Sequence, residues 1–203
     1  MGLRRTSVRV ILAFTVFLVF SSRPFYEAPA SDQGVWGVDQ LMLGLGQIKS
    51  YKARFVEIKY MHILTAPLES SGILFYVAPD RLEQNTLKPR RKTLVVKGNV
   101  LTLQRQGHGD QSFILNDYPQ IRTYVEGIRA TFRGDLKTLK HLYILRLKGK
   151  SVRWQLRLVP KDPKDRAMIV SIRISGSVYR IDSIELREKN GDRTVIRILK
   201  AGT

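Results

Sequence analysis

The sequence holds no cysteine among its 203 residues. Disulfide staples, thiolate nucleophiles, zinc ribbons and Cys-ligated iron–sulfur clusters are excluded together. Histidine is almost as scarce: there are only His62, His108 and His141, and none has a partner at metal-ligand spacing. An H-E-x-x-H, a G-x-S-x-G, a P-loop and a G-x-G-x-x-G opening a helix are all missing. Asp162, Asp165, Asp182, Glu185 and Glu188 lie amid Lys and Arg without the pattern of a paired-carboxylate site. Gly107-His108-Gly109-Asp110 reads as a polar loop between strands and not as a catalytic pair. The expectation is a non-enzyme that needs no metal and no cofactor.

What the chain has is positive charge. Its 35 Lys+Arg against 17 Asp+Glu give a formal net charge of +18, on a composition that is 43% hydrophobic. That much apolar material offsets the entropy of ordering, so a folded domain is expected. Charge of this sign ordinarily suggests nucleic acid. The N-terminus argues otherwise. Arg4, Arg5 and Arg9 lead into an apolar run from Val10 to Phe20, and Ala28-Pro29-Ala30 follows, which is the layout of a secretory signal peptide cleaved after Ala30. The run is shorter than the roughly 20 residues needed to span a bilayer. Residues 1–30 are read as the signal and 31–203 as one exported, periplasmic domain. Nucleic acid is then no expected partner, and acidic lipids, lipopolysaccharide or acidic proteins are.

In the mature chain Val38, Leu41, Met42, Leu45 and Ile48 recur at helical spacing, with Gly44 and Gly46 as weak points. Strands are predicted at Lys52 to Ile63, Gly72 to Val77, Leu94 to Val96 and Val100 to Leu103, the last two joined at Lys97-Gly98-Asn99. Helical spacing returns at Ile121, Tyr124, Val125, Ile128 and Phe132, after Pro119, and a second helix is predicted from Asp135 towards His141. Val152, Trp154, Leu156 and Leu158 then alternate with Arg153, Gln155 and Arg157 as a strand with one dry face. Strands are predicted at Met168 to Ile174 and Val178 to Leu186, joined by Ser175-Gly176-Ser177, and at Arg193 to Leu199. The fold class is mainly β: about eight to eleven strands in a curved antiparallel sheet, with an N-terminal helix and inserted helices. Periodicity leaves two readings of the concave face, a packed core or a cavity.

Several runs resemble the LolA-type periplasmic carriers. Leu45-Gly46-Gln47-Ile48-Lys49-Ser50-Tyr51-Lys52-Ala53-Arg54-Phe55 is similar to that family's passage from helix to first strand. Gly72-Ile73-Leu74-Phe75-Tyr76-Val77-Ala78-Pro79 resembles its Gly-x-Leu-aromatic-aliphatic-x-Arg-Pro strand motif, and Lys92 to Leu103 its Leu-Val-x-Asp-Gly hairpin. The resemblance implies an incomplete antiparallel β-barrel closed by lid helices, with a hydrophobic cavity that ferries an acyl chain or lipidated cargo towards the outer membrane. It implies a monomer that meets inner- or outer-membrane partner proteins transiently. By strand parity the expected cavity residues are Leu74, Tyr76, Ala78 and Leu82, with Trp154, Leu156 and Leu158 on another part of the same face. The expected lid residues are Ile121, Tyr124, Val125 and Ile128. One departure stands out: Ala78 occupies the position of the motif's arginine, which in lipoprotein-carrying members hydrogen-bonds to the lid, and an alanine side chain donates nothing. Two alternatives accompany the carrier reading. One is a lipid or lipoprotein sensor or interaction module of the same fold. The other is a binder of anionic lipid or lipopolysaccharide through Arg153, Arg157, Arg173, Arg180 and Arg197 on outward faces.

Overall fold

The computed structural model describes residues 36–199. The expected signal peptide, residues 1–30, lies outside the described residues. Helix α1, Val38–Leu45, buries Leu41, Met42 and Leu45. Six strands follow: β1 Ser50–Tyr60, β2 Leu68–Val77, β3 Arg81–Lys88, β4 Lys92–Lys97, β5 Val100–Arg105 and β6 His108–Ile114. Helices α2, Pro119–Arg133, and α3, Leu136–Leu142, come next. Strands β7 Tyr143–Lys150 and β8 Arg153–Pro160, the short helix α4 Pro163–Arg166, and strands β9 Ile169–Ser177, β10 Arg180–Glu188 and β11 Arg193–Leu199 complete the order.

All eleven strands form one antiparallel sheet in the order β6-β5-β4-β3-β2-β1-β11-β10-β9-β8-β7. Strand β1 is central, with β2–β6 as one arm and β11–β7 as the other. The barrel implied by the resemblance is incomplete to the point of being open, because β6 and β7 are opposite edges and do not pair. The chain must therefore cross the sheet between residues 114 and 143, and the crossing is made by α2 and α3. Topology alone lays a helical strap across the mouth of the sheet.

Local chemistry sets the boundaries. Pro119 opens α2, and Gly134 ends it in the left-handed region at φ +69°. A Cβ at Gly134 would also lie 2.1 Å from the Met42 carbonyl oxygen, so the end of α2 meets α1 backbone to backbone. Asp135 caps α3 by accepting from the Thr138 N–H at 2.9 Å. Gly98, at φ +56°, takes the first place of the two-residue β4–β5 turn, where a primed turn requires that conformation.

Several sequence expectations are corrected. Strand β1 stops at Tyr60 and leaves Ile63 exposed in a turn, while Val152 and Met168 lie just outside their strands. The β9–β10 turn is Val178-Tyr179 and not Ser175-Gly176-Ser177. Gly176 lies within β9, where an added Cβ would lie 2.0 Å from the Arg180 carbonyl oxygen and 2.5 Å from the Trp154 ring. His108 begins a strand, so the expected polar loop around it is reduced to Gln106-Gly107. Strands β3, β6 and β7 have no counterpart among the strands predicted from the sequence.

Candidate functional site

Cross-strand register places the concave face in rows. On the β2–β6 arm the first row is Tyr51, Tyr76, Leu82, Val96 and Leu101, and the second is Ala53, Leu74, Gln84, Leu94 and Leu103. The third row is Phe55, Gly72, Thr86, Lys92 and Arg105. On the other arm Glu57 of β1 leads through Ile196, Ile184, Ile174 and Leu156 to Leu147. Side chains that alternate along a strand meet these neighbours on the same face.

Helix α2 lies over the first two rows and leaves a partly open cavity of about 100 Å³ between itself and the sheet. Tyr124, Val125, Ile128 and Phe132 line it from the helix, and Tyr51, Leu74, Tyr76, Leu82, Leu94, Val96, Ile184, Ile196 and Ile198 line it from the sheet. Tyr76 and Phe132 stack obliquely with ring centroids 5.1 Å apart. The wall is nearly all apolar. Burial raises the Tyr124 phenol far above its ordinary value, with the Glu57 and Glu188 carboxylates adding to the effect, so Tyr124 is neutral throughout the physiological range. The buried Tyr76 hydroxyl has no hydrogen-bond partner.

The expected site residues divide. Leu74, Tyr76 and Leu82 from the sheet and Tyr124, Val125 and Ile128 from the helix are brought together around the cavity. Ala78 sits beyond the end of β2, packed against the core and outside the lining. Trp154, Leu156 and Leu158 are buried at 2%, 0% and 0% exposure in close-packed core on the other arm and do not line it. Ile121 is exposed on the outer side of α2. Sequence reasoning missed Tyr51, Leu94, Val96, Phe132, Ile184, Ile196 and Ile198. Pairing would have found two of them, since Tyr51 faces Tyr76 and Val96 faces Leu82.

The helix is tied to the two arms unequally. On the β7–β11 side, the buried Thr123 hydroxyl donates to Asp165 Oδ2 at 2.8 Å and the Tyr143 hydroxyl to the Thr123 carbonyl at 2.5 Å. On the β2–β6 side the polar attachment is Arg129, 6% exposed, whose guanidinium donates to the Gly98 carbonyl at 2.6 Å and the Asp80 carbonyl at 3.4 Å. Glu126 is its ion-pair partner one turn earlier. Asp80 Oδ2 in turn accepts from the Gly98 N–H at 3.0 Å. Although position 78 has no arginine, an arginine from the strap itself reaches the loop two residues beyond it.

Of the outward arginines, Arg157 stands directly between Arg146 and Arg173 in register. Arg173 is answered by Glu185 at 3.1 Å and Arg180 by Asp182 at 2.8 Å. Among the described residues the histidine beside a carboxylate is His62, with Nδ1 2.8 Å from Asp192 Oδ1. Among the described residues no three potential ligands gather as a metal site.

The profile of the family described as "Outer membrane lipoprotein carrier protein LolA-like" matches residues 30–203. The chain belongs to this LolA-like family. Members are binding and carrier proteins, generally exported and periplasmic. No curated protein matches the sequence. Among solved structures, a LolA superfamily protein from Nitrosomonas europaea is 10% identical, covering 80% of this chain and 91% of that one, with a TM-score of 0.45. The MucA/MucB complex of Pseudomonas aeruginosa is 14% identical over 82% of this chain and 58% of that one, with a TM-score of 0.42. The CwlD amidase of Clostridioides difficile in complex with the GerS lipoprotein is 13% identical over 78% of this chain and 89% of that one, with a TM-score of 0.41. Among the described residues of this LolA-like chain, no helix is long and apolar enough to cross a membrane.

Proposed function

We propose that the chain is a periplasmic, non-enzymatic carrier, released from a signal peptide, that takes an acyl chain between the sheet and α2 for transfer towards the outer membrane. The observation that carries the reading is the apolar cavity beneath a helix that crosses from one sheet edge to the other. A monomer meeting membrane partners transiently fits the same reading.

The cavity is smaller than the roughly 150 Å³ that holds one benzene ring. While α2 is seated it accepts a few carbons and not a whole tail. Loading is therefore an exchange, in which the tail takes the place of Tyr124, Val125, Ile128 and Phe132. Burying four such side chains is worth roughly 6–12 kcal/mol, and a tail of about 16 carbons gains at most about 13 kcal/mol at about 0.8 kcal/mol per carbon. The two sides nearly balance, which makes uptake and release reversible without an energy source in the compartment. The gap opens on the β2–β6 side, where the helix is held by Arg129, the small Val96–Leu115–Val125 cluster and the Tyr76–Phe132 stack, without the buried side-chain hydrogen bonds of the other arm.

The test is mass spectrometry of organic extracts from protein purified from its native compartment, together with displacement of a fluorescent fatty acid. Stoichiometric acyl lipid displaced by Leu82→Glu is the expected outcome. A lipid-free protein that also ignores the fluorescent probe would refute the carrier reading.

A further inference from the structure

The concave face of the β2–β6 arm changes character along its strands. The first two rows are apolar but for Gln84 and lie under α2, whereas the third carries Thr86, Lys92 and Arg105. Beyond the second row lies an open groove of about 930 Å³. Its cations are Lys59, Arg90, Arg91, Lys92 and Arg105, set against the carboxylates of Glu57 and Glu69. Glu57 already accepts a hydrogen bond from Gln84 at 2.7 Å. Among the described residues none of the five cations is in an ion pair, although Arg105 donates to Gln111 at 3.2 Å.

Groove and cavity are next to each other. On β3, Gln84 lines the cavity and Thr86 the groove; on β4, Leu94 lines the cavity and Lys92 the groove. Two residues of strand separate each pair, about 7 Å. At the boundary the Thr86 hydroxyl is buried, the residue being 3% exposed, and has no hydrogen-bond partner. A buried hydroxyl left without a partner is costly and rare, and here it lines the groove.

We propose that the cargo is a single anionic phospholipid, with its tails exchanged against α2 and its phosphate-bearing headgroup held in this groove by Arg90, Arg91, Lys92 and Arg105. Thr86 donates to an ester or phosphate oxygen where tail meets headgroup. The assignment rests on the carrier reading above and adds to it the chemistry of the polar end. A neutral acylated peptide would leave the uncompensated positive charge of the groove unanswered, and a free phosphate would leave the cavity empty.

The test offers protein expressed from the full chain to vesicles of phosphatidylglycerol alone and of phosphatidylcholine alone, then separates protein from vesicles and measures the lipid extracted. Phosphatidylglycerol should be favoured about tenfold or more, because each basic side chain near an anionic headgroup contributes a factor of about five. The preference should shrink with added salt. It should fall towards parity in Arg90→Gln/Arg91→Gln/Arg105→Gln, whose changes are all at exposed positions. Thr86→Val should weaken phosphatidylglycerol uptake while the melting temperature stays level or rises. Equal extraction of both lipids would overturn the headgroup site and leave the carrier reading standing. Extraction of neither would remove the carrier reading itself. Retention on phosphatidylglycerol vesicles without extraction, or a preference untouched by the triple variant, would also overturn the proposal.

Discussion

On the β7–β11 arm the concave face presents Trp154, Leu156, Leu158, Ile172 and Ile174, all at 2% exposure or less. On the β2–β6 arm Tyr76 and Val96 are buried too, but Leu74, Leu82, Leu94, Leu101 and Leu103 on the corresponding face are only half-buried. Both arms are five antiparallel strands flanking β1. What separates them is cover. Helices α3 and α4, the β9 contacts of α2, and the hydrogen bonds of Thr123, Tyr143 and Asp165 close the first arm, while the second meets α2 across a cavity to which β10 and β11 add Ile184, Ile196 and Ile198. One half of the sheet is a scaffold stabilised by close packing. The other half is left under-packed, and unspent apolar surface of that kind is what a transient apolar ligand can use.

The largest effect is expected on the scaffold side. Trp154→Ala should destabilise the protein by about 3–5 kcal/mol in urea unfolding, whereas Leu82→Ala on the half-buried arm should cost only about 1–2 kcal/mol. Similar costs for the two would mean that the arms are equally packed. A smaller effect is expected at the strap. Arg129→Ala removes the polar attachment to Gly98 and Asp80, lowering stability by about 2 kcal/mol and speeding uptake of a fluorescent fatty acid in stopped-flow mixing. Slower uptake would show that the arginine does not hold the strap closed.

Smaller still, Val178 occupies the left-handed region at φ +52°, where a β-branched residue is strained. Val178→Gly should raise stability by about 1 kcal/mol with no change in lipid uptake, because this turn belongs to the scaffold arm. The smallest effect is in acid. Burial of Asp135 disfavours its charge, but hydrogen bonds from Thr138 and Arg133 outweigh this and hold its carboxyl below the ordinary 3.8. A depressed folded value means that the stabilisation is complete above 3.8 and is lost as pH falls through the lower folded value. Asp135→Asn should flatten the dependence of stability on pH in that acid range and nowhere else.

Much of this architecture is legible in the sequence, because Trp154, Leu156 and Leu158 alternate cleanly and Ile121 to Phe132 keeps a helical spacing. Where the text fails, the residues show why. Strand β6, with both faces wet from His108 to Gln111, carries no alternation to read. Ser175-Gly176-Ser177 imitates a turn, yet Gly176 is required beneath Trp154. Parity correctly groups Leu74 with Tyr76 and Trp154 with Leu156, since it depends only on the strand's period of two. It cannot tell which group lies under a solid layer and which beside a void, because that depends on how α2 crosses the sheet, a contact made between residues about fifty positions apart. The groove cations Arg90, Arg91 and Arg105 are invisible for the same reason: they converge only when two hairpin turns are brought side by side.

The absence of native cysteine lets a single engineered pair report on movement of α2. Val96 and Val125 share one small buried cluster between β4 and α2, so a Val96→Cys/Val125→Cys variant can fasten the strap to the arm it must leave. The expected result is that the oxidised protein stays folded but no longer takes up a fluorescent fatty acid, and that reduction restores uptake. Undiminished uptake by the fully cross-linked protein would contradict it, because the tail would then be entering somewhere other than the space beneath α2.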